Sequence, residues 1–427
     1  MKLTALASAG FVAGCATNPV TGESQLMLVS EDQEIQIDRE NAPHQFSADY
    51  GALQDPALNV YIDSVGKRLA VHTHRPNMPY SFRAVNATSM NAYAFPGGSI
   101  ACTRGMLLAL ENEAELAGLL GHELGHVNAR HTAQQMSKGM LISGTLGGLA
   151  AVAGSQSQWL GGLAQGLAAI GTGALLAKYS RDNEREADAL GMEYMVRSGY
   201  NPEGMVGLMD ILRGMNRQKP NSLELMFATH PMSDERYQTA VHEARTQYRA
   251  FEKFPSLRAR YMDNTANLRR HRDAVDEMQN GEKEMAKERF GSAQDHFRMA
   301  LHKAPEDYAG LLMMAKCLYA QEKFAEATPY ANLAQQVYPG EAQAYFVSGM
   351  VFLQQKKYDA AHQNFATYEK VLPGNPSITF LAGYALEGMG NTRGAASQYR
   401  RYLQSVTSGT LAQYAYQRLV QWGYVKP

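Results

Sequence analysis

The chain has 427 residues, and its 40 Lys and Arg against 41 Asp and Glu give a formal net charge of −1. A near-neutral chain gives no electrostatic reason to expect binding to nucleic acid, and a hydrophobic fraction of 45% excludes a mainly disordered protein. A domain takes roughly 100–200 residues, so the length predicts two or three domains. With only three cysteines no disulfide framework is expected, and Cys102 and Cys317 are predicted to be buried thiols.

The N-terminus has the pattern of a bacterial secretion signal. A short apolar run follows Lys2, and an Ala-Gly pair stands directly before Cys15. This arrangement resembles the lipobox, in which the cysteine is diacylated and becomes the first residue of the mature protein. We therefore predict a signal peptide over 1–15, a lipid anchor on Cys15 and a tether over 16–30. Ala16 favours anchoring to the outer membrane, by analogy with enteric bacteria.

The elements predicted next are those of a mainly helical α+β domain. Apolar residues recur at helical spacing in 31–39 and 56–71, whereas 80–85 alternates as a strand does. Residues 91–102 are predicted to form a strand pair around a Pro-Gly-Gly turn. A small sheet among helices is therefore expected.

Residues 140–177 form a Gly/Ala/Leu-rich segment without a charged residue. We predict a helical hairpin, because glycines four residues apart let two helices approach closely. Three arrangements remain open: a plain buried hairpin, a hairpin that covers the site or touches a membrane, and a membrane-spanning hairpin. Spanning is disfavoured, since the first apolar stretch, 140–154, is shorter than the roughly 20 residues that a bilayer requires.

The last third of the chain repeats with a period of 34 residues. Four columns carry the register: Pro305, Pro339 and Pro373; Ala293, Ala327, Ala361 and Ala395; Gly281, Ala315, Gly349 and Gly383; and Phe297, Ala331, Phe365 and Tyr399. This period, with small residues at fixed helix contacts, is typical of tetratricopeptide repeats. We predict an all-α solenoid over 274–427, with four repeats and a capping helix, joined to the preceding domain by a linking helix over 256–273.

A metal-binding motif lies on a predicted helix that begins after Asn112. The sequence His122-Glu-Leu-Gly-His126 places two imidazoles one turn apart on the same face, where both can reach one cation. Neutral imidazole is a preferred ligand of Zn²⁺, and a catalytic zinc site uses three protein ligands. Glu123, beside that face, is the candidate general base for amide hydrolysis.

The third ligand is expected on a second, carboxylate-rich helix. Glu184 is one candidate, with Asp188 one turn further on to accept the outer N–H of a ligating histidine. Glu186 is the competing candidate, and spacing alone does not choose between the two. Two later residues, His230 and Arg236, have the hydrogen-bonding and cationic groups that stabilise an oxyanion.

Several motifs together resemble the zinc peptidase family of the CAAX prenyl protease and HtpX. The resemblance covers about half of the chain and rests on Asn91-Ala-Tyr-Ala-Phe-Pro-Gly-Gly, Thr103-Arg-Gly105, His122-Glu-Leu-Gly-His126, Ser180-Arg181 with Glu184 to Asp188, and Thr229-His-Pro231. It implies a zincin-type metalloprotease domain over 31–255 with one Zn²⁺ per chain. The implied ligands are His122, His126 and Glu184, and the implied base is Glu123.

The same resemblance implies roles for the remaining site residues. His230 and Arg236 would be a regulatory or transition-state pair, and the position of His230 can cap the zinc in a latent state. An edge strand that pairs with extended substrate would be formed by Asn91, Ala92, Tyr93, Ala94 and Phe95.

With its secretion signal and its repeats, the chain resembles family members that act on outer-membrane β-barrel proteins. We therefore expect a periplasm-facing zinc endopeptidase, anchored to the outer membrane, that acts in the quality control and assembly of such proteins. Its expected partners are unfolded or stalled outer-membrane proteins and, through the repeats, the outer-membrane assembly machinery. The alternative is a chaperone or scaffold that works through its repeats and has a latent zinc site.

Overall fold

A computed structural model describes residues 14–143, 179–218 and 230–426. The predicted secretion signal up to residue 13 and the Gly/Ala-rich segment beyond residue 143 lie outside these ranges. Within them, no helix combines the length and the apolar character that crossing a membrane requires.

In the described ranges, the N-terminal part is mainly helical and contains five strands. Its elements, in chain order, are β1 (Gly14–Thr17), β2 (Ser24–Met27), α1 (Glu31–Ala48), α2 (Pro56–Ala70), β3 (Ser81–Val85), β4 (Ala92–Ala94), β5 (Ser99–Thr103), α3 (Arg104–Ala109), α4 (Glu113–Asn128), α5 (His131–Ser143), α6 (Arg181–Arg197), α7 (Glu203–Gln218) and α8 (Asp234–Arg245).

Three of the strands form one small mixed sheet in the order β3-β5-β4. β3 runs parallel to β5, and β4 runs antiparallel to it through the predicted Pro-Gly-Gly turn. Because β4 has only β5 as a neighbour, it forms an edge of the sheet. The predicted mainly helical fold with a small sheet is therefore confirmed.

Helix α4 lies in the middle of this part and is buried along its whole length. It begins at Asn112, whose side chain accepts the backbone N–H of Glu115 at 3.0 Å and so replaces a missing helical partner. Helices α2, α6 and α7 and strand β4 surround it. A helix enclosed in this way holds its side chains in fixed positions, as a metal site requires.

Part of the segment 16–30, which was predicted to be a tether, forms paired strands. Strands β1 and β2 pair antiparallel, with Cys15 opposite Leu26. Met27 and Val29 are buried against Ala133 of α5. The N-terminal hairpin therefore packs on the helix that follows the metal motif.

The predicted linking helix is divided into two short ones, α9 (Arg258–Asn264) and α10 (Ala266–Arg270). The break falls at Thr265, whose hydroxyl donates to the carbonyl of Tyr261 at 2.8 Å. A threonine that bonds back to the preceding turn competes with the helical ladder, and such residues favour helix ends over helix interiors.

Helices in antiparallel pairs then continue to the C-terminus. They are α11 (Arg272–Ala286), α12 (Phe290–Lys303), α13 (Tyr308–Ala320), α14 (Phe324–Val337), α15 (Gln343–Gln354), α16 (Tyr358–Val371), α17 (Pro376–Gly388), α18 (Thr392–Ser405) and α19 (Thr410–Gln421). In three of the four repeats, the glycine of the first helix packs against the aromatic residue sixteen positions later in the chain. A Cβ added to Gly349, for example, would be 2.5 Å from the ring of Phe365. The predicted repeat fold is confirmed by this packing, and Cys102 and Cys317 are buried free thiols, as predicted.

A buried polar network joins the repeats to the N-terminal part. Lys316 of α13 lies over the ring of Tyr50, with 4.4 Å between Nζ and the ring centre, and Ser47 donates to Glu341. Burial raises the pKa of Asp49 to about 6, against hydrogen bonds that lower it, including one that the hydroxyl of Tyr93 donates at 2.5 Å. The end of α1 therefore binds Tyr93 of β4 through Asp49 and the repeats through Ser47 and Tyr50.

Candidate metal centre

The site forms where α4 and α6 come into backbone contact. A Cβ added to Gly121 would be 2.9 Å from the carbonyl oxygen of Gly191, and one added to Gly125 would be 2.8 Å from the Cα of Ala187. Only glycine allows this approach. It brings the carboxylate of Glu184 to the face of α4 that carries the two histidines of the motif.

Four buried side chains converge there: His122, His126, Glu184 and His230. One donor atom from each lies within 4.8 Å of all the others. The Nε2 atoms of His122 and His126 are 3.1 Å apart, and the Nδ1 atom of His230 is 3.3 Å from His122 Nε2 and 3.1 Å from Glu184 Oε1. Glu184 Oε1 is 3.3 Å from His126 Nε2.

Most of these distances are close to those expected around a zinc ion. Ligands at the usual 2.0–2.1 Å from zinc are about 3.3 Å from one another at the corners of a tetrahedron. Four of the six donor separations are 3.1 or 3.3 Å, whereas His122 Nε2 and Glu184 approach each other to 3.7 Å, through Oε2. The chemistry of the set, three imidazoles and one carboxylate, is also what zinc prefers.

The outer nitrogens of the two motif histidines have different partners. His122 Nδ1 lies 2.8 Å from Asp188 Oδ1, as predicted from the i, i+4 spacing of the carboxylates. His126 Nδ1 lies instead 2.9 Å from Nδ1 of His131, which in turn is 3.1 Å from Glu186 through its Nε2. Glu186 therefore faces His131, and Glu184 is the carboxylate among the donors.

Two residues near His126 were not predicted as part of the site. His131 follows it by five positions on the next helix, and the ring of Tyr179 stacks on it with 3.8 Å between the ring centres. The only signal for His131 in the sequence is a third histidine shortly after the motif. Nothing in the sequence pointed to Tyr179.

Arg236 is 4% exposed and binds acceptors with all three of its nitrogens. Its Nε and NH2 groups donate to the two oxygens of Asp188 at 2.6 and 2.7 Å, and NH1 lies 2.6 Å from Glu184 Oε2. NH1 also donates to the carbonyl of Pro231 at 3.0 Å. In this arrangement the guanidinium holds two carboxylates and the segment of His230, and these contacts use four of its five N–H groups, which leaves one N–H on NH2.

Unlike Glu184, whose Oε2 accepts no hydrogen bond but lies 2.6 Å from Arg236 NH1, Glu123 has a buried oxygen that has no ion-pair partner either among the described residues. It is 2% exposed, and its Oε2 has no hydrogen-bond partner among the described residues. Its other oxygen is 4.0 Å from His230 Nε2. Burial raises the pKa of Glu123, whereas the cationic neighbours and hydrogen bonds of Glu184 outweigh its burial and hold the pKa of that carboxyl well below its usual value.

The predicted substrate strand lies beside α4 at the sheet edge. Phe95 donates its N–H to Ser99 at 2.8 Å, and Asn91 accepts the N–H of Thr103 at 2.9 Å. Because hydrogen-bonded pairs alternate in an antiparallel ladder, the N–H and C=O groups of Ala92 and Ala94 point away from β5. Ala92, Tyr93 and Phe95 are at most 3% exposed, so Ala94 is the position of this strand that is partly accessible.

Cys15, the predicted lipid attachment residue, belongs to β1 and is far from the metal-site residues in the sequence.

A buried His₂Glu donor set on two helices, with a free carboxylate next to the first histidine, is the arrangement of a metallopeptidase. Comparison with known families agrees, since residues 56–244 match peptidase family M48.

Relatives at the sequence level include a protein named as a metalloprotease. Metalloprotease YcaL of Escherichia coli (strain K12) is 33% identical over 179 residues, which are 40% of this chain and 67% of that protein. The chain belongs to peptidase family M48. The prediction of a metallopeptidase family is thereby confirmed.

A second group of relatives is named for β-barrel assembly. The beta-barrel assembly-enhancing protease of Yersinia pestis is 31% identical over 231 residues, 53% of this chain and 47% of that protein. The chain thus spans about half the length of these relatives. Among solved structures, the TPR protein YrrB, described as having an unusual peptide-binding site, matches 49% of this chain and 97% of its own at 18% identity and a TM-score of 0.33.

Proposed function

We propose that the chain is a zinc-dependent endopeptidase. The observation that carries the proposal is the free oxygen of Glu123 beside four buried donors that lie within 4.8 Å of one another. His122, His126 and Glu184 are the proposed ligands. Asp188 and Arg236 are the proposed positioning residues, because they hold His122 and Glu184 in place.

The chemistry divides between the ion and the chain. When bound, zinc would supply a Lewis acid that polarises the scissile carbonyl and activates water. Glu123 would accept the proton of the attacking water at Oε2 and pass it to the leaving amine. Its buried position suits this exchange, because burial raises the pKa of Glu123 towards neutrality.

His230 is proposed to keep the site latent. A catalytic zinc site has three protein ligands and one open position, whereas a closed site has four. Nδ1 of His230 stands where the fourth ligand belongs, 3.1 Å from Glu184 and 3.3 Å from His122. Water and substrate would therefore enter only after His230 has moved away.

Extended segments of unfolded protein are the proposed substrates. The backbone groups of Ala92 and Ala94 point away from β5, and an extended chain would add there as a further strand after the surface over Ala92, which is 1% exposed, has opened. Such binding depends on the substrate's backbone and selects for unfolded clients. The names of the relatives suggest stalled outer-membrane β-barrel proteins as those clients.

The remaining expectations concern location and partners. We propose that the chain faces the periplasm and is held at the outer membrane through a lipid on Cys15. The repeats would dock the assembly machinery or a client beside the peptidase part. Mass spectrometry of the mature N-terminus tests the anchor, since a diacylated Cys15 supports it and an unmodified residue contradicts it.

Substitution of Glu123 by Gln tests the peptidase activity. It removes the base and keeps the size of the side chain, so cleavage of casein should fall by at least about 100-fold while the bound zinc stays near one per chain. Glu193→Gln, at a helical surface ion pair with Arg197, is the control and should cleave normally. Undiminished cleavage by Glu123→Gln would contradict the proposed role of Glu123 as the general base.

Substitution of His230 by Ala tests latency. If His230 caps the metal, the variant should cleave casein faster than the wild-type chain does, because the fourth position opens. The initial rate at saturating zinc is the measurement. A fall in this rate would place His230 in the transition state instead.

The closed arrangement of the four donors also favours a second function, a chaperone or scaffold with a permanently latent site. This alternative predicts that Glu123→Gln rescues a strain that lacks the gene, whereas a chain without 274–427 does not. Rescue by the truncated chain, together with failure of Glu123→Gln, would exclude it.

A further inference from the structure

The two motif histidines reach a carboxylate by different routes. His122 meets Asp188 directly, with 2.8 Å between Nδ1 and Oδ1. His126 Nδ1 is 2.9 Å from His131 Nδ1, and His131 Nε2 is 3.1 Å from Glu186 Oε2. The second route therefore passes through an intervening imidazole.

One arrangement of protons satisfies the whole second route. A ligating nitrogen must present a lone pair, so Nε2 of His126 is unprotonated and its Nδ1 carries the hydrogen. That N–H needs an acceptor, which is Nδ1 of His131. His131 then carries its own hydrogen on Nε2 and donates it to the carboxylate of Glu186.

The chain holds this arrangement rigidly. Arg130 adopts a left-handed backbone conformation, with φ of 59°, between α4 and α5, and the turn places His131 beside His126. His131 is fully buried. Tyr179 stacks on His126 and its hydroxyl lies 2.9 Å from that of Thr132, which fixes the ring from another side.

We propose that His131 and Glu186 are positioning residues that fix the tautomer and the orientation of His126. His131 relays the carboxylate of Glu186 to Nδ1 of His126, which contacts no carboxylate of the described residues directly. Helix α6 would thus supply Glu184 as ligand, Asp188 to orient His122 and Glu186 to orient His126. The inference rests on the metal site of the proposed function.

The test measures zinc affinity of the full chain by competition with a chromophoric chelator. Loss of a group that orients a ligand costs about 10–100-fold in metal affinity, and we expect this for His131→Ala. His131→Asn should recover much of the loss, because its carbonyl oxygen can take the place of Nδ1 as acceptor. His74→Ala is the control, since it also removes a hydrogen bond of an imidazole, to Tyr194 at 2.7 Å, but lies outside the site.

Two further measurements separate positioning from a general effect on folding. Glu186 is partly exposed, so Glu186→Ala should fold and should weaken zinc binding by a smaller factor than His131→Ala. The visible absorption spectrum of the Co²⁺-substituted chain should change in His131→Ala and not in His74→Ala. Affinities of both His131→Ala and Glu186→Ala within about twofold of wild type would overturn the relay, whereas a wild-type chain that binds no zinc would overturn the metal site itself.

Discussion

Glycines permit close packing both in the N-terminal part and in the repeats, but they pack against helix backbone in the first and against aromatic rings in the second. Between α4 and α6, Gly121 and Gly125 allow one helix backbone to contact the other. Such a contact is rigid, because backbone atoms cannot move aside as a side chain can. In the repeats, Gly281 and Gly349 make room for the rings of Phe297 and Phe365. The first packing fixes the distance between metal ligands, whereas the second stacks helices whose exact separation no chemistry requires. The two parts should therefore respond differently to the same change.

Removal of the metal should give the largest difference between the two parts. Zinc present at a thousand times its dissociation constant stabilises the folded chain by about 4 kcal/mol. Chelation should lower the free energy of unfolding by that order and increase deuterium uptake in α4 and α6. Deuterium uptake in α15 and α16 should hardly change, since no proposed ligand lies there. An equal increase in both parts would contradict the comparison.

Asp49, where the two parts meet, should make stability depend on pH. Burial raises the pKa of Asp49 from 3.8 to about 6, so the folded chain holds this proton more tightly than the unfolded chain does. The contribution of protonated Asp49 to the free energy of unfolding is complete below about pH 4 and is lost as the pH rises to about 6. A pKa shift of this size corresponds to about 3 kcal/mol of that free energy.

Asp49→Asn removes this titration. The decrease in the free energy of unfolding between pH 4.5 and pH 7, measured with urea, should be larger in the wild-type chain than in the variant. Other buried carboxyls, such as Glu282 and Glu341, have raised pKa values too and remain in both chains. Equal pH dependence of the two chains would show that Asp49 is ionised in the folded state.

Alanine substitutions of the glycines should give the smallest effects and the sharpest comparison. Overpacking costs about 1–3 kcal/mol, so Gly125→Ala and Gly349→Ala should both lower the free energy of unfolding. Only Gly125→Ala should also weaken zinc binding, because its Cβ pushes on Ala187, between Glu184 and Asp188.

Gly118 offers the matched control on α4. A Cβ there would lie 3.4 Å from its nearest neighbour, an ordinary contact. Gly118→Ala should therefore leave zinc affinity unchanged and cost little stability. Weaker zinc binding in Gly349→Ala, as large as in Gly125→Ala, would contradict the separation of the two packing modes.

Local patterns in the sequence were sufficient for much of the fold. The motif on α4 follows from residues four positions apart, and the repeats follow from a fixed period. Such regularities report on one helix or on neighbouring helices, so they need no long-range information. The edge strand and the Pro-Gly-Gly turn were predictable for the same reason.

Contacts between distant parts of the chain were not predictable. Ser47 and Glu341 are 294 positions apart, and no local pattern relates them. The spacing of Glu184 and Glu186 left the choice of ligand open, because it depends on how α6 crosses α4. His131 likewise gains its role only from the turn at Arg130.

Anomalous X-ray scattering at the zinc edge, from crystals of the full chain, tests the central claim most directly. The account predicts one peak per chain at about 2.0–2.1 Å from His122 Nε2 and His126 Nε2, with Glu184 as the third ligand and His230 as the fourth. A peak elsewhere, or a zinc-loaded crystal without a peak between these residues, would contradict it.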